Sequence, residues 1–194
     1  MKKLLLSAFV ICLAGTSIAQ ESPLWMRHCA LSPDGTTIAF TYKGDIYTVP
    51  STGGRATQIT TNPAFDTEPV WSPDSKQIAF ASDRMGSLDV FVVSSEGGAP
   101  QRLTTHSGSE KPVAYKDNKH ILFTANIAPS AEDAGFPSGQ FQQVYEVAVT
   151  GGRPAMFSSM PMECISINKE GVMLYQDKKG YEDYWRKHQK APIA

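Results

Sequence analysis

The sequence predicts an all-β chain, an incomplete β-propeller of four-stranded antiparallel blades amounting to about three and a half blades, and three observations carry that expectation. First, LSPDGTTIAF at 31 to 40 lies over WSPDSKQIAF at 71 to 80 with Ser, Pro, Asp, Ile, Ala and Phe recurring at an offset of 40. Second, GDIYTVPSTGG ending at Gly54 matches LDVFVVSSEGG ending at Gly98, and QITT ending at Thr61 matches the RLTT of RLTTH, ending at Thr105, both at an offset of 44. Third, the intervals hold only short strand-like runs punctuated by Pro-Asp and Gly-Gly. Periods of 40 to 50 residues built from several short strands are the signature of propeller blades.

The elements follow in order within each repeat. An innermost strand comes first, at Arg27 to Leu31, Glu68 to Trp71, Lys111 to Tyr115 and Glu163 to Ile167. Ser-Pro-Asp then turns the chain: Pro33 and Pro73 fix φ, Asp34 and Asp74 accept a backbone N–H, and Gly35 relaxes the exit. The second strand is TIAF, QIAF, HILF or VMLY, which places Phe40, Phe80 and Phe123 at one repeated buried position. The third is DIYTV, DVFVV or VYEVAV, and the Gly-Gly pairs beginning at 53, 97 and 151 fold it back onto a fourth, TQIT, QRLT or AMFS. Both faces of these strands read as apolar or small, as blades sandwiched between neighbours require. The four residues separating the two offsets fall in the loop around Ser82 to Gly86, and a segment rich in Ala, Ser, Pro and Gly enlarges the third repeat near 127 to 140. The blades are expected at about 26–63, 67–106, 111–160 and 162–194, the last incomplete. That makes fourteen strands, short of the sixteen in a ring of four such blades, so the chain reads as the start of a longer protein or a truncated product.

Ahead of the repeats, Lys2 and Lys3 precede an apolar run from Leu4 to Ala14, and small residues stand at Ser17 and Ala19. This is the pattern of a Sec signal peptide over residues 1–19, and it implies an exported protein, periplasmic or secreted. The run is about half of the ~20 residues a spanning helix needs, so no membrane span is expected after cleavage. Phe9, Val10 and Ile11 before Cys12 do not suit a lipoprotein site. Over the whole chain 18 Lys and Arg face 19 Asp and Glu, for a net charge of -1. Such a balance supplies no field for nucleic acid and no polybasic patch for a membrane surface. Three cysteines, Cys12, Cys29 and Cys164, form neither a disulfide scaffold nor a zinc pattern.

The repeat pattern SPDG, IAF, DIY, GG and LT resembles the TolB-type propeller repeat, without the Gly-His and Trp-Asp signatures of WD repeats. A closer likeness lies in EPVWSPDSKQIAFASDRMGSLDVFVVSSEGGAPQRLTTH, residues 68 to 106, and in QDKKGYEDYWRKHQ, residues 176 to 189. Together these resemble the amino-terminal propeller of tricorn-type serine peptidases over nearly all of residues 25 to 190. In that family a second propeller, a PDZ domain and a catalytic region follow. The resemblance implies a non-catalytic propeller that channels or filters peptides or unfolded segments for a catalytic domain this chain lacks. Two alternatives stay open: a TolB-like periplasmic module binding an envelope protein, and the gating propeller of a prolyl-oligopeptidase-type hydrolase.

Site chemistry is sparse. No GxSxG, HExxH or GxxxxGK[ST] occurs, so no catalytic, cofactor-binding or metal residue is assigned and no cofactor is expected. His106 sits beside Ser107 and Ser109 in a stretch running to Glu110, but triad members usually meet from distant segments. His28, His106, His120 and His188 share no ligand spacing and read as solvated or hydrogen-bonded. Asp83 and Arg84 read as a local charge pair bracing the enlarged loop. Cys29 and Cys164 are placed at equivalent inner-strand positions of non-adjacent blades, too far apart for a disulfide, and read as small core residues. Trp71 reads as core. Tyr181, Tyr184 and Trp185 with Arg186, Lys187, His188 and Lys190 read as a loop or frayed helix, with a peptide-facing patch as the alternative.

Overall fold

The computed structural model describes residues 25–126, 142–158, 162–168 and 170–177. Among these there is no helix, and the strands form four antiparallel sheets. The first holds β1 (Arg27–Leu31), β2 (Thr37–Tyr42), β3 (Asp45–Pro50) and β4 (Thr57–Gln58). The second holds β5 (Asp66–Trp71), β6 (Gln77–Ser82), β7 (Asp89–Ser94) and β8 (Gln101–Arg102), and the third β9 (Lys111–Tyr115), β10 (His120–Ala125), β11 (Gln143–Ala148) and β12 (Ala155–Ser158). The last described sheet is a hairpin of β13 (Met162–Ile167) and β14 (Met173–Asp177). Each four-stranded sheet runs in sequence order from inner to outer strand. The inner strands β1, β5, β9 and β13 pack side by side in that order, so the blades form an open arc of a propeller.

The Ser-Pro-Asp turn is held by its own side chains. Ser32 Oγ donates to Asp34 Oδ1 at 2.6 Å, which also accepts the Thr36 amide at 3.0 Å, while Ser32 Oγ accepts the Thr37 amide at 3.0 Å. Blade 2 repeats the pattern, with Ser72 Oγ to Asp74 Oδ1 at 2.7 Å, the Lys76 amide to Asp74 at 3.2 Å and the Gln77 amide to Ser72 Oγ at 2.9 Å. The serine hydroxyls hold both carboxyls below the ordinary Asp range. The two worn copies change residue but keep the device: Asp117 Oδ1 accepts the Lys119 and His120 amides, and Asn168 Oδ1 those of Glu170 and Val172. Each turn also reaches its neighbour, since the Asp34 amide donates to Ser75 Oγ at 3.3 Å and the Asp74 amide to Asn118 Oδ1 at 3.1 Å.

At the third hairpin the first Gly of each pair donates its amide three residues back, Gly53 to Pro50 and Gly97 to Ser94 at 2.9 Å and Gly151 to Ala148 at 2.8 Å. Their φ values of 87°, 90° and 84° are in the left-handed region, which a Cβ disfavours. The fourth strands they lead into are short.

The three phenylalanines share one register. Phe40 faces Tyr47, Phe80 faces Phe91 and Phe123 faces Tyr145 across the second and third strands. The rings stack with centroids 5.9, 5.9 and 5.8 Å apart. Ile46 and Ile59 of blade 1 meet Trp71, Ile78, Phe80 and Phe91 of blade 2 in one cluster, and Val90 and Leu103 of blade 2 meet Phe123 and Tyr145 of blade 3 in another. A third, around Ala114, Leu122 and Val144, takes in Met162 and Ile165 of the last hairpin. Two-sided burial therefore holds for the central blades, where Ile78, Ala79, Phe80 and Ala81 are all fully buried. It fails at the ends of the arc: β1 is largely exposed, with Leu31 at 60%, and so are Leu174 and Tyr175 on β14, because these sheets have a neighbour on one side only among the described residues.

Replacing the fully buried Phe80 by alanine removes a stacked ring and leaves a cavity at the blade 1–2 junction. A loss of ~3 to 5 kcal/mol is expected on denaturant unfolding. A loss below ~1 kcal/mol would show that the ring is not part of a packed core.

Candidate functional site

Because the inner strands lie side by side, their turns converge at one end of the arc. There they enclose a cleft of about 800 Å3 to which all four blades contribute, through Leu31 and Pro33, Trp71 and Pro73, Tyr115 and Asn118, and Ile167 and Gly171 among others. The lining is apolar and proline-rich along and just after the inner strands, through Pro33, Pro69 and Pro73, and polar at the turns, where Lys116, Asp117, Asn118, Asn168 and Glu170 contribute. Lys116 Nζ pairs with Glu146 at 2.7 Å, and His120 Nδ1 lies 3.0 Å from Asp117. Tyr115 is buried and its hydroxyl lacks a hydrogen-bond partner, and burial pushes its pKa up. This surface suits an extended chain held by shape and scattered polar contacts.

The inner strands carry a second feature at the same place in the repeat. Each has a bulge, and the bulged residue is left-handed in three of the four: His28 at φ 51°, Glu68 at 54° and Cys164 at 51°. In blade 3 the position is Pro112, whose ring excludes that conformation. Glu68 and Lys111 bridge blades 2 and 3 beside the bulges at 2.7 Å. The bulge corrects the placing of the cysteines: Cys164 corresponds to His28, one residue away from Cys29. Neither is a core residue, since both are exposed free thiols on the two inner strands that end the arc.

At the junctions between blades, carboxylates recur at repeated positions, fully buried at Asp66, Asp89 and Glu110 and half-buried at Asp45. Asp66 at the start of β5 and Glu110 just before β9 each donate an amide to the preceding blade, to the Gly44 and Leu88 carbonyls, both at 2.7 Å. Asp45 and Asp89 are the matching pair at the start of the third strands, beside Thr60 and Thr104, whose hydroxyls accept the Ile46 and Val90 amides at 2.9 Å. Their charges are met differently. Arg84 Nη2 reaches both oxygens of the fully buried Asp66 at 3.0 and 2.9 Å, its Nε donates to Ser82 at 2.8 Å, and its guanidinium lies 4.5 Å from the Phe91 ring centroid. This corrects the expected Asp83–Arg84 pair: Asp83 instead accepts the Phe65 amide at 2.7 Å. Arg102 pairs with Asp89 at 2.9 Å. Asp45 has only Gln58 and Thr60, and burial raises its pKa.

Glu110 is fully buried, and neither carboxylate oxygen has a hydrogen-bond partner. Burial, aided by the Asp89 charge, pushes its pKa up to about 7. Thr104, the His106 amide and Arg102 lie close enough to oppose that rise, though none hydrogen-bonds to the carboxylate. Glu110 lies at a cavity of about 480 Å3 between blades 2 and 3, with Thr104, His106, Tyr145 and Arg153.

The other sequence candidates are dispersed. His106 Nδ1 accepts the Gly108 amide at 3.0 Å, a local loop contact, and Ser87 Oγ reaches His106 only at its backbone carbonyl, at 3.4 Å. His28 lies at the β1 bulge and His120 on β10. Trp71 is 7% exposed and its Nε1 donates to the Ala30 carbonyl at 3.0 Å, tying blade 2 to blade 1. Residues 1–19, with the signal pattern, and Tyr181, Tyr184, Trp185, Arg186, Lys187, His188 and Lys190 lie outside the described residues. Among the described residues no group of three or more His, Cys, Asp or Glu is placed to hold a metal ion. Sequence reasoning missed the buried carboxylates, although Asp45 with Asp89 and Asp66 with Glu110 recur at the offset of 44.

Comparison with known proteins agrees with this architecture. The family model for the tricorn protease N-terminal beta propeller domain matches residues 23–191. Tricorn protease homolog 1 of Streptomyces coelicolor is 39% identical over 77 residues, covering 40% of this chain and 7% of that protein. An uncharacterized peptidase of Bacillus subtilis, YuxL, is 32% identical over 108 residues, 50% of this chain and 16% of its own length. The solved structure of a putative TolB from Agrobacterium tumefaciens superposes with a TM-score of 0.59 at 26% identity, covering 78% of this chain and 56% of that one. The chain thus spans only a small part of these curated relatives.

Two outcomes follow from the buried charges. Arg84→Ala strands the Asp66 carboxylate, and ~3 to 5 kcal/mol is expected to be lost, most of it recovered in an Asp66→Asn/Arg84→Met double variant. Additive losses in the double variant would argue against the pair. For Glu110 the folded pKa lies above the unfolded value of 4.5, so the folded state binds more protons between about 4.5 and 7 and stability falls as pH rises through that window. Glu110→Gln should flatten that part of the melting temperature profile and stabilise the protein above pH ~7. Parallel profiles for the two proteins would contradict a raised pKa.

Proposed function

The chain belongs to the tricorn protease N-terminal β-propeller domain family, and from that premise we propose that it is the non-catalytic propeller portion of an exported tricorn-like serine peptidase, admitting or filtering peptides for a catalytic region elsewhere. The observation that carries this reading is the cleft where the inner-strand turns of all four blades meet. Its apolar, proline-rich walls suit an extended peptide, which offers main-chain polar groups and alternating side chains along its length. Export rests on Lys2 and Lys3, the apolar run to Ala14 and the small residues before a cleavage point after Ala19. The likeness to TolB structures supports a second reading, an envelope protein-interaction module.

Fluorescence anisotropy with labelled, unstructured peptides tests the first reading. The purified chain is expected to bind them without cleaving them, and Ser166→Trp, an exposed position on the cleft wall, should weaken binding tenfold or more. Binding unaltered by Ser166→Trp would remove the cleft as the site. Peptide turnover with labelling by a serine-reactive probe would overturn the non-catalytic assignment.

A further inference from the structure

The blade 2–3 junction holds the carboxylate and aromatic elements of the blade 1–2 junction without their cation. At the first junction Asp66, Phe80 and Phe91 surround the Arg84 guanidinium, which is bound at both carboxylate oxygens and stacked over Phe91. At the second junction the repeat puts Glu110 for Asp66, Phe123 for Phe80 and Tyr145 for Phe91. Asp89 and Thr104 repeat Asp45 and Thr60. Arg102 is committed to Asp89, and Glu110 makes no ion pair. In place of Asp83-Arg84 the sequence continues Asn126-Ile127-Ala128, and no Lys, Arg or His occurs from 127 to 141. Ala125 stands where Ser82 holds the Arg84 Nε.

The geometry points to the cavity at Glu110 as a binding site for a guanidinium group, an arginine side chain brought by a ligand that takes the place Arg84 fills from within at the preceding junction. A buried carboxylate beside an aromatic face is the pairing that a planar, weakly hydrated guanidinium matches best. Thr104 adds a hydroxyl, and the cavity of about 480 Å3 has room for an arginine side chain. The charged groups facing Glu110 are Asp89 with Arg102 from blade 2, His106 from the following loop, and Arg153 from the β11–β12 turn. Arg153 is exposed and unpaired with Glu110, so its charge at the rim opposes entry and removing it should tighten binding. Glu110 is about half protonated near pH 7, so a bound cation expels its proton and affinity rises with pH up to about 7. This site stands apart from the axial cleft and does not rest on the peptide-channel reading.

The test is a heteronuclear NMR titration of the full chain with N-acetyl-arginine amide, its neutral citrulline counterpart and the tripeptide Ala-Arg-Ala. Both arginine ligands are expected to give saturable shifts at Thr104, His106 and Glu110. The tripeptide binding more tightly would identify a peptide source, and equal binding a free arginine source. Citrulline should give none, E110Q should weaken binding at least tenfold, Arg153→Ala should strengthen it, and wild-type affinity should rise from pH 5.5 to 7.5. Equal shifts with citrulline, no saturable shift at millimolar ligand, full binding by E110Q, or shifts centred on the axial cleft would each overturn the site. If E110Q fails to fold, the wild-type arginine and citrulline titrations with their pH dependence decide alone.

Discussion

Two-sided burial of the blades is the constraint on which the rest of the structure depends. A four-stranded sheet with Ile78, Ala79, Phe80 and Ala81 all buried on one strand cannot stand in water, so each blade needs a neighbour on both faces. Trp71 shows how closely the neighbours are tied: its ring packs in the blade 1–2 cluster while its indole N–H satisfies the Ala30 carbonyl of the adjacent inner strand. Stacking blades this way gathers their inner strands and converges the Ser-Pro-Asp turns, and the axial cleft is a consequence of that convergence. Its walls are the ends of the elements that hold the blades together.

Charge at the junctions is the second level. A carboxylate out of water is tolerated when its charge is met or its proton is kept. Asp66 and Asp89 take the first course with Arg84 and Arg102, and Glu110 takes the second, with a pKa near 7. The framework around them is nearly invariant from one junction to the next, down to the hydroxyls of Thr60 and Thr104 accepting the Ile46 and Val90 amides at the same 2.9 Å. The largest departure is the cation: the loop that carries Arg84 in blade 2 has no basic residue in its longer blade 3 counterpart, and Ala125 stands in place of Ser82.

The fold was legible because propeller chemistry is local and repeated. Pro-Asp turns, Gly-Gly hairpins and the Phe40, Phe80 and Phe123 register are each set within one repeat and copied into the next, so the sequence alone places fourteen strands where fourteen are described. What it hid depends on tertiary neighbours. Cys29 and Cys164 look like core residues until the bulge at His28, Glu68 and Cys164 shifts the register and the ends of the arc leave their strands exposed. Asp83 and Arg84 look like partners because they are adjacent, yet the guanidinium crosses to Asp66, eighteen residues away along the chain, where a buried charge gains more from it than an exposed one does. Glu110, read as part of a polar loop, is the most deeply buried acid of its blade among the described residues, and comparison with Asp66 in the repeat reveals that role.

Groups already satisfied within the protein have little to offer a ligand, because binding must first break what they hold. Among the described residues, the buried Ser32, Ser72, Thr60, Thr104, Ser82 and Asp66 are held in turns and junction pairs. The buried exceptions are the hydroxyls of Thr41 and Thr67, single atoms of the Asp89–Arg102 pair, the Tyr115 hydroxyl and the two oxygens of Glu110. Tyr115 lies on the axial cleft and Glu110 on the inter-blade cavity. In a repeat architecture the agreeing positions hold the blades together, and function is free to enter where one copy departs from the others. The third blade departs most, with a Lys-Asp-Asn turn for Ser-Pro-Asp, Pro112 at the bulge and an enlarged loop without a basic residue, and it contributes both of these unsatisfied groups.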